Sequence, residues 1–200
     1  MSPSPAAGRA PSHFPAAMIA IHWATAVLMA AVVVIAWIIP RGQSDYKTWL
    51  LFFHESIGLT LLALTALRLI VRRFSVLPDE SGLIPWLEAM AARVTHVLLY
   101  VILLAMPVSG FLFRTARGDA VDVFGLFSVP ALLPPSEAMR KAAWFVHTNG
   151  QVAVYVVIGL HAAAALYHLI VRRDDVMARM VPGATLMPAQ QPAEARPAAE

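Results

Sequence analysis

Long apolar stretches alternate with short polar ones along the chain. Four of them, about 16–39, 49–71, 90–113 and 143–171, reach the roughly 20 apolar residues that carry a helix across a bilayer core. Each closes on a residue that stops a helix or resists burial in lipid: Pro40, Arg72 and Arg73, Arg114, then Arg172 and Arg173. The pattern predicts an all-α integral membrane protein, a four-helix bundle filling residues 16–182. The flanking segments 1–15 and 183–200, "MSPSPAAGRAP" and "PAQQPAEARPAAE" among them, are rich in Pro and Ala and read as disordered tails. The first apolar run is followed by Pro40, Arg41 and Gly42 rather than a small-residue cleavage site, so it reads as a retained span.

Two irregularities interrupt this pattern. Pro107 falls inside the third stretch, where it removes one backbone hydrogen bond and predicts a kink near Leu103. Between 114 and 142 the string "VDVFGLFSVPALLPP" is apolar but broken by Gly125, Pro130 and the pair Pro134 and Pro135. It is too short to span and is expected to lie on the membrane or over the mouth of the bundle.

Composition narrows the chemistry. With 59% hydrophobic residues, 14% charged residues and a mean hydropathy of +0.67, an ordinary soluble protein is excluded. The net charge of +3 does not point to nucleic acid, because the basic residues cluster beside the apolar spans as topology signals do. The end that holds both termini carries nine Lys and Arg against six at the other, which places the termini in the cytoplasm. The chain has no Cys, so thiolate metal sites, iron-sulfur clusters, disulfides and covalently attached haem are all excluded. A metal must be held by His or Met.

Histidines supply the candidates. Apart from His13 in the tail, all of them lie in or at the ends of the predicted helices: His22, His54, His96, His147, His161 and His168. Ionisable side chains at membrane depth are rare and point to function. His147 and His161 are 14 residues apart, which on an ideal helix returns to within about 40° of the same face at a rise of about 21 Å. His54 matches the depth of His147, and His22 that of His161. Two cross-helix pairs follow, His54 with His147 towards the outer side and His22 with His161 towards the inner.

Two neutral imidazoles from facing helices are what a haem iron needs for its axial bonds, so two pairs predict two haem b groups. Gly58, Gly150 and Ala162–Ala165 lie beside these histidines and offer room for a flat ring, although small residues are common wherever membrane helices meet. His96 and His168 lie near the inner rim. Either could replace a proposed ligand; otherwise each could serve a quinone carbonyl or touch headgroups and haem carboxylates. Met29 and Met106 read as packing residues.

These residues resemble the bacterial di-haem cytochrome b561 family, within the wider group that includes the cytochrome b subunits of nickel-iron hydrogenases. The resemblance covers roughly residues 17–182 and rests on "IHW" at 21–23, "HESIGL" at 54–59, "HVLLYVILLAMPVSGF" at 96–111, "FGLFSVP" at 124–130 and "GLHAAAALYHLIVRRDDVMARMVP" at 159–182. It implies four helices enclosing two b-type haems, with axial ligands at His22, His54, His147 and His161. It also implies a bacterial inner-membrane enzyme that oxidises superoxide on the periplasmic side and reduces ubiquinone.

Irons closed by two imidazoles have no open position for a substrate, so such centres pass electrons at the haem edge. On the outer side, Arg114, Arg117, Arg140 and Lys141 give a mildly positive mouth that would steer superoxide. On the inner side, His96, His168 and Arg72 are the candidate quinone groups. Two other classes share some of these features. An electron-transfer anchor for a hydrogenase or dehydrogenase would take its electrons from a redox protein donor, but the short loops offer little docking surface. A proton or cation transporter usually recruits intramembrane carboxylates, and the spans offer only Glu55.

Overall fold

The computed structural model of the chain describes residues 13–78 and 84–186. Four long helices dominate it: α1 (Ala16–Ile38), α2 (Asp45–Phe74), α3 (Trp86–Thr115) and α4 (Glu137–Tyr167). All four are long and apolar enough to cross a membrane. α2 and α4 begin earlier than the apolar pattern predicts because their first turns are polar and capped. Ser44 Oγ accepts from the Lys47 amide at 3.1 Å, with Asp45 beside it at the positive end of the helix dipole. Ser136 Oγ accepts from the Met139 amide at 3.3 Å, with Glu137 next to it. α3 continues through Pro107 as one helix.

The four helices form an open ring. Backbones approach within 8 Å between α1 and α2, α2 and α3, and α3 and α4, but not between α1 and α4 or across either diagonal. The apolar core is a belt at mid-height. Val32, Ile57 and Leu61 pack between α1 and α2, and Ile102, Val154 and Val157 between α3 and α4, with Met29 touching both groups. On α1, α2 and α3 the belt lies between the histidine and the far end of the helix, and on α4 it lies between His147 and His161, so it separates two polar sites.

The connection after α3 packs against α2 and α3 at one end of the bundle. It contains a two-stranded antiparallel hairpin, β1 (Val121–Val123) and β2 (Phe127–Val129), in which Val121 faces Val129 and Val123 faces Phe127. Phe124 and Gly125 both take positive φ, 52° and 70°, the conformation that turns a tight hairpin in register with strand twist. Val121 and Val123 are buried against α2 while Asp122 points out. Ser56, fully buried, fastens the hairpin: its hydroxyl lies 3.2 Å from the Asp122 carbonyl and accepts from the Phe124 amide at 3.0 Å.

At the other end of α4 the helix widens into a π turn, His168–Arg172, which Arg173 stops by adopting φ 53°. Asp174 then caps a short helix, α5 (Asp175–Ala178), through the Val176 amide. The chain folds back against the start of α1, where Trp23 Nε1 donates to the Met180 carbonyl at 2.7 Å and His13 Nε2 lies 3.0 Å from the Ala184 carbonyl. The remainder of the expected tails lies outside the described residues.

Candidate functional site

The structure gathers the intramembrane histidines into two clusters. At the end of the bundle that bears the hairpin, the rings of His54 on α2 and His147 on α4 stand 5.9 Å apart, centroid to centroid, at 81°. Near the terminal end, His22 on α1 and His161 on α4 stand 6.2 Å apart at 84°. His96 on α3 joins the second cluster, 5.5 Å from His161. One helix thus supplies a ring to each cluster, as its 14-residue interval requires.

Two axial bonds of about 2 Å each from imidazole to metal, with the ring radii added, put the centroids of a coordinating pair about 6 Å apart. The His54–His147 and His22–His161 spacings meet that condition. The His96–His161 spacing falls short of it. His147 is also held in the tautomer a metal requires. Its Nδ1 lies 3.0 Å from the Met106 carbonyl and 3.2 Å from Ser109 Oγ, and Ser109 in turn donates to the same carbonyl at 2.9 Å. Nδ1 must therefore carry the proton, which leaves the Nε2 lone pair free to coordinate. His54 Nδ1 is buried and makes no close hydrogen bond among the described residues. These residues fit a haem at the hairpin end, and the spacing of His22 and His161 fits one at the terminal end.

His22 differs. Arg68 Nη1 lies 3.2 Å from its Nδ1, and guanidinium can only donate. Such a contact favours the proton on Nε2, the opposite of what the Met106 carbonyl imposes on His147.

Glycine placement departs from the sequence reading at one position. A Cβ on Gly150 would stand 2.6 Å from the sulfur of Met106, so Gly150 makes room for that side chain rather than for a ring beside His147. Gly110, which sequence reasoning did not single out, is the residue that admits His147: a Cβ there would stand 3.0 Å from Cε1. Its role, like those of Ser109 and Met106, depends on the approach of α3 to α4, which no interval along one helix reveals. Gly58 faces open space.

Away from the clusters, His168 is buried and lies with Nδ1 2.7 Å from Asp174 Oδ2. Arg172 bridges Asp174 at 3.7 Å and Glu88 at 3.1 Å. Arg72 is exposed, one turn beyond Arg68. At the hairpin end, Arg114 lies between Glu55 at 3.5 Å and Asp119 at 3.6 Å. Arg140 makes two 2.8 Å bonds to Glu137, which Lys141 also approaches at 3.8 Å. Of the four cations expected to steer an anion, Arg117 alone makes no ion pair among the described residues.

Residues 13–183 match the family described as prokaryotic cytochrome b561. The chain is 31% identical over 166 residues to cytochrome b561 homolog 2 of Escherichia coli (strain K12), covering 81% of this chain and 87% of that protein. It is 32% identical over 176 residues to the probable superoxide oxidase CybB of Yersinia pestis, covering 82% and 93%. It is 28% identical over 175 residues to cytochrome b561 homolog 1 of E. coli (strain K12), covering 86% and 98%.

Proposed function

Given that the chain belongs to the prokaryotic cytochrome b561 family, whose members bind b-type haem and transfer electrons in membranes, we propose that it oxidises superoxide at its hairpin end and reduces ubiquinone at its terminal end. The observation that carries this reading is the pair of facing imidazoles at each of two levels of α4. We assign one haem b to His54 and His147 and a second to His22 and His161. When bound, these groups supply one-electron chemistry. The relative named as a probable superoxide oxidase supports the choice of donor. The charge bias supports an inner-membrane protein with cytoplasmic termini, which turns the hairpin towards the periplasm.

The protein's own groups have distinct tasks in this scheme. Met106 and Ser109 hold the His147 ring with its proton on Nδ1, which leaves the Nε2 lone pair free. Arg117, with Arg114, Arg140 and Lys141 around it, draws an anion to the mouth. Two superoxide anions each lose one electron and leave as oxygen. Ubiquinone gains two electrons and two protons at the other end, where we assign His168, oriented by Asp174, to hold a proton, with Arg72 and His96 as further groups for the quinone.

The test uses purified holoprotein with a superoxide generator and a soluble ubiquinone. The reading expects two b haems per chain in the reduced-minus-oxidised spectrum and quinol formation that superoxide dismutase abolishes. A protein with both haems and no superoxide-driven quinol would remove the enzymatic reading. Stoichiometric capture of a large redox subunit from native membranes would instead favour an electron-transfer anchor.

A further inference from the structure

His54 and Arg68 on α2 are separated by the same 14 residues as His147 and His161 on α4. On an ideal helix Arg68 therefore returns to within about 40° of the His54 face, about 21 Å further along. α2 offers an imidazole to the cluster at the hairpin end and a guanidinium to the cluster at the terminal end. The contacts agree with this register. Arg68 Nη1 is 3.2 Å from His22 Nδ1, and its guanidinium carbon is 5.8 Å from the centroid of the Tyr100 ring.

This cation lacks a counter-charge. Among the described residues no carboxylate pairs with Arg68, and its Nε is buried without a hydrogen-bond partner. Such a group in a low-dielectric site is costly unless an anion meets it. His22 cannot be that partner. A neutral imidazole brings no charge, and one that coordinates through Nε2 carries its proton on Nδ1 and has nothing to accept with. The hairpin end has no equivalent: Arg114 is already shared by Glu55 and Asp119.

We infer that Arg68 is the anion-binding residue of the terminal-end site, that it pairs with a carboxylate carried by the porphyrin there, and that its charge favours the reduced state of that centre over the other. The inference rests on the two-haem reading above. A carboxylate left without a cation would stabilise the ferric state. Cancelling it at one site only makes the terminal end the better electron acceptor, which is the direction superoxide-to-quinone transfer needs.

The test is a redox titration of holoprotein carrying Arg68→Leu or Arg68→Lys, with Arg73→Leu as the control for a charge at the same end. The terminal-end component is identified as the one absent from His161→Ala. Arg68→Leu should lower the midpoint of that component and leave the other in place, Arg68→Lys should recover most of the shift, and Arg73→Leu should move neither. Reconstitution with haem dimethyl ester gives a second readout. Wild-type protein should discriminate against the ester at the terminal-end site, and Arg68→Leu should not. The inference fails if both midpoints stay unchanged in Arg68→Leu, or if Leu and Lys shed the same haem equally, since that marks a packing role. It also fails if the shift appears only when quinone is added, which would make the headgroup the anion. Wild-type protein with fewer than two b haems would remove the two-site reading itself, and that is known before any substitution is made.

Discussion

Gly110 stands so close to the ring of His147 that a Cβ in place of its hydrogen would lie 3.0 Å from Cε1 and 3.2 Å from Nδ1. The ring is pinned on that side by the Met106 carbonyl, so it cannot yield without losing the bond that sets its tautomer. Gly110→Ala should weaken the hairpin-end haem by about tenfold, the usual scale for disturbing a ligand's supporting contact, and Gly110→Leu should remove it. Gly150→Ala meets only the flexible thioether of Met106 and should be milder. Haem-to-protein ratio by pyridine haemochrome measures all three.

The two rings that face His161 make different demands on substitution. His22 has the spacing of a coordinating pair, 6.2 Å, whereas His96 at 5.5 Å is too close and remains exposed. His22→Ala, His54→Ala, His147→Ala and His161→Ala should each leave one haem per chain, and His96→Ala should leave two. If His96→Ala is the variant that loses a haem while His22→Ala keeps both, the terminal-end assignment is wrong.

Spans and histidine levels were legible in the sequence because a bilayer imposes both a length and a depth scale. Twenty apolar residues mark a helix, and a 14-residue interval marks one face at two depths. The hairpin was not legible: its strands are three residues each, too short for alternation to register. It is held by Val121 and Val123 buried against α2 and by Ser56, a residue 66 positions away from Asp122. The same holds for Gly110 against His147 and for Arg68 against His22, contacts between helices that no single-helix pattern encodes. The preference for His22 over His96 came from depth along the helices, and the ring spacings of 6.2 and 5.5 Å to His161 favour the same choice. The π turn at His168–Arg172 was hidden because its residues continue the apolar run of α4.

Ser56 gives the hairpin a single polar anchor on α2. In Ser56→Ala the Phe124 amide loses its acceptor, at a cost of about 1–3 kcal/mol if it stays buried. The hairpin should open more often while both haems remain. Hydrogen exchange at the Phe124 amide should accelerate by about tenfold or more, and the haem spectrum should not change.

Charge at the hairpin end is less available than a count of basic residues suggests. Glu137 engages Arg140 and Lys141, and Arg114 is divided between Glu55 and Asp119. Arg117 is exposed and makes no ion pair among the described residues, so it should contribute most to drawing in an anion. Arg117→Gln should reduce superoxide-driven turnover at low substrate by about two- to threefold at low ionic strength, more than Arg140→Gln does, and the difference should vanish near 0.5 M salt as screening shortens to a few ångströms. Equal effects of the two substitutions, or no dependence on salt, would discard steering.

Asp174 does two jobs at once, capping α5 through Oδ1 and holding His168 Nδ1 at 2.7 Å through Oδ2. The π turn and the left-handed Arg173 bring the two residues together across an interval of only six positions. If His168 delivers a proton to quinone, its ring must keep this orientation, and Asp174→Ala should release it. Steady-state quinol formation should fall by about tenfold, the scale of losing a group that orients a proton donor. Rapid-mixing measurements should show haem reduction by superoxide unchanged, because neither histidine pair touches this turn. Asp174→Asn keeps a cap acceptor for Val176 and separates the two jobs. If quinol formation survives in both variants, His168 belongs to the scaffold and the proton comes from elsewhere.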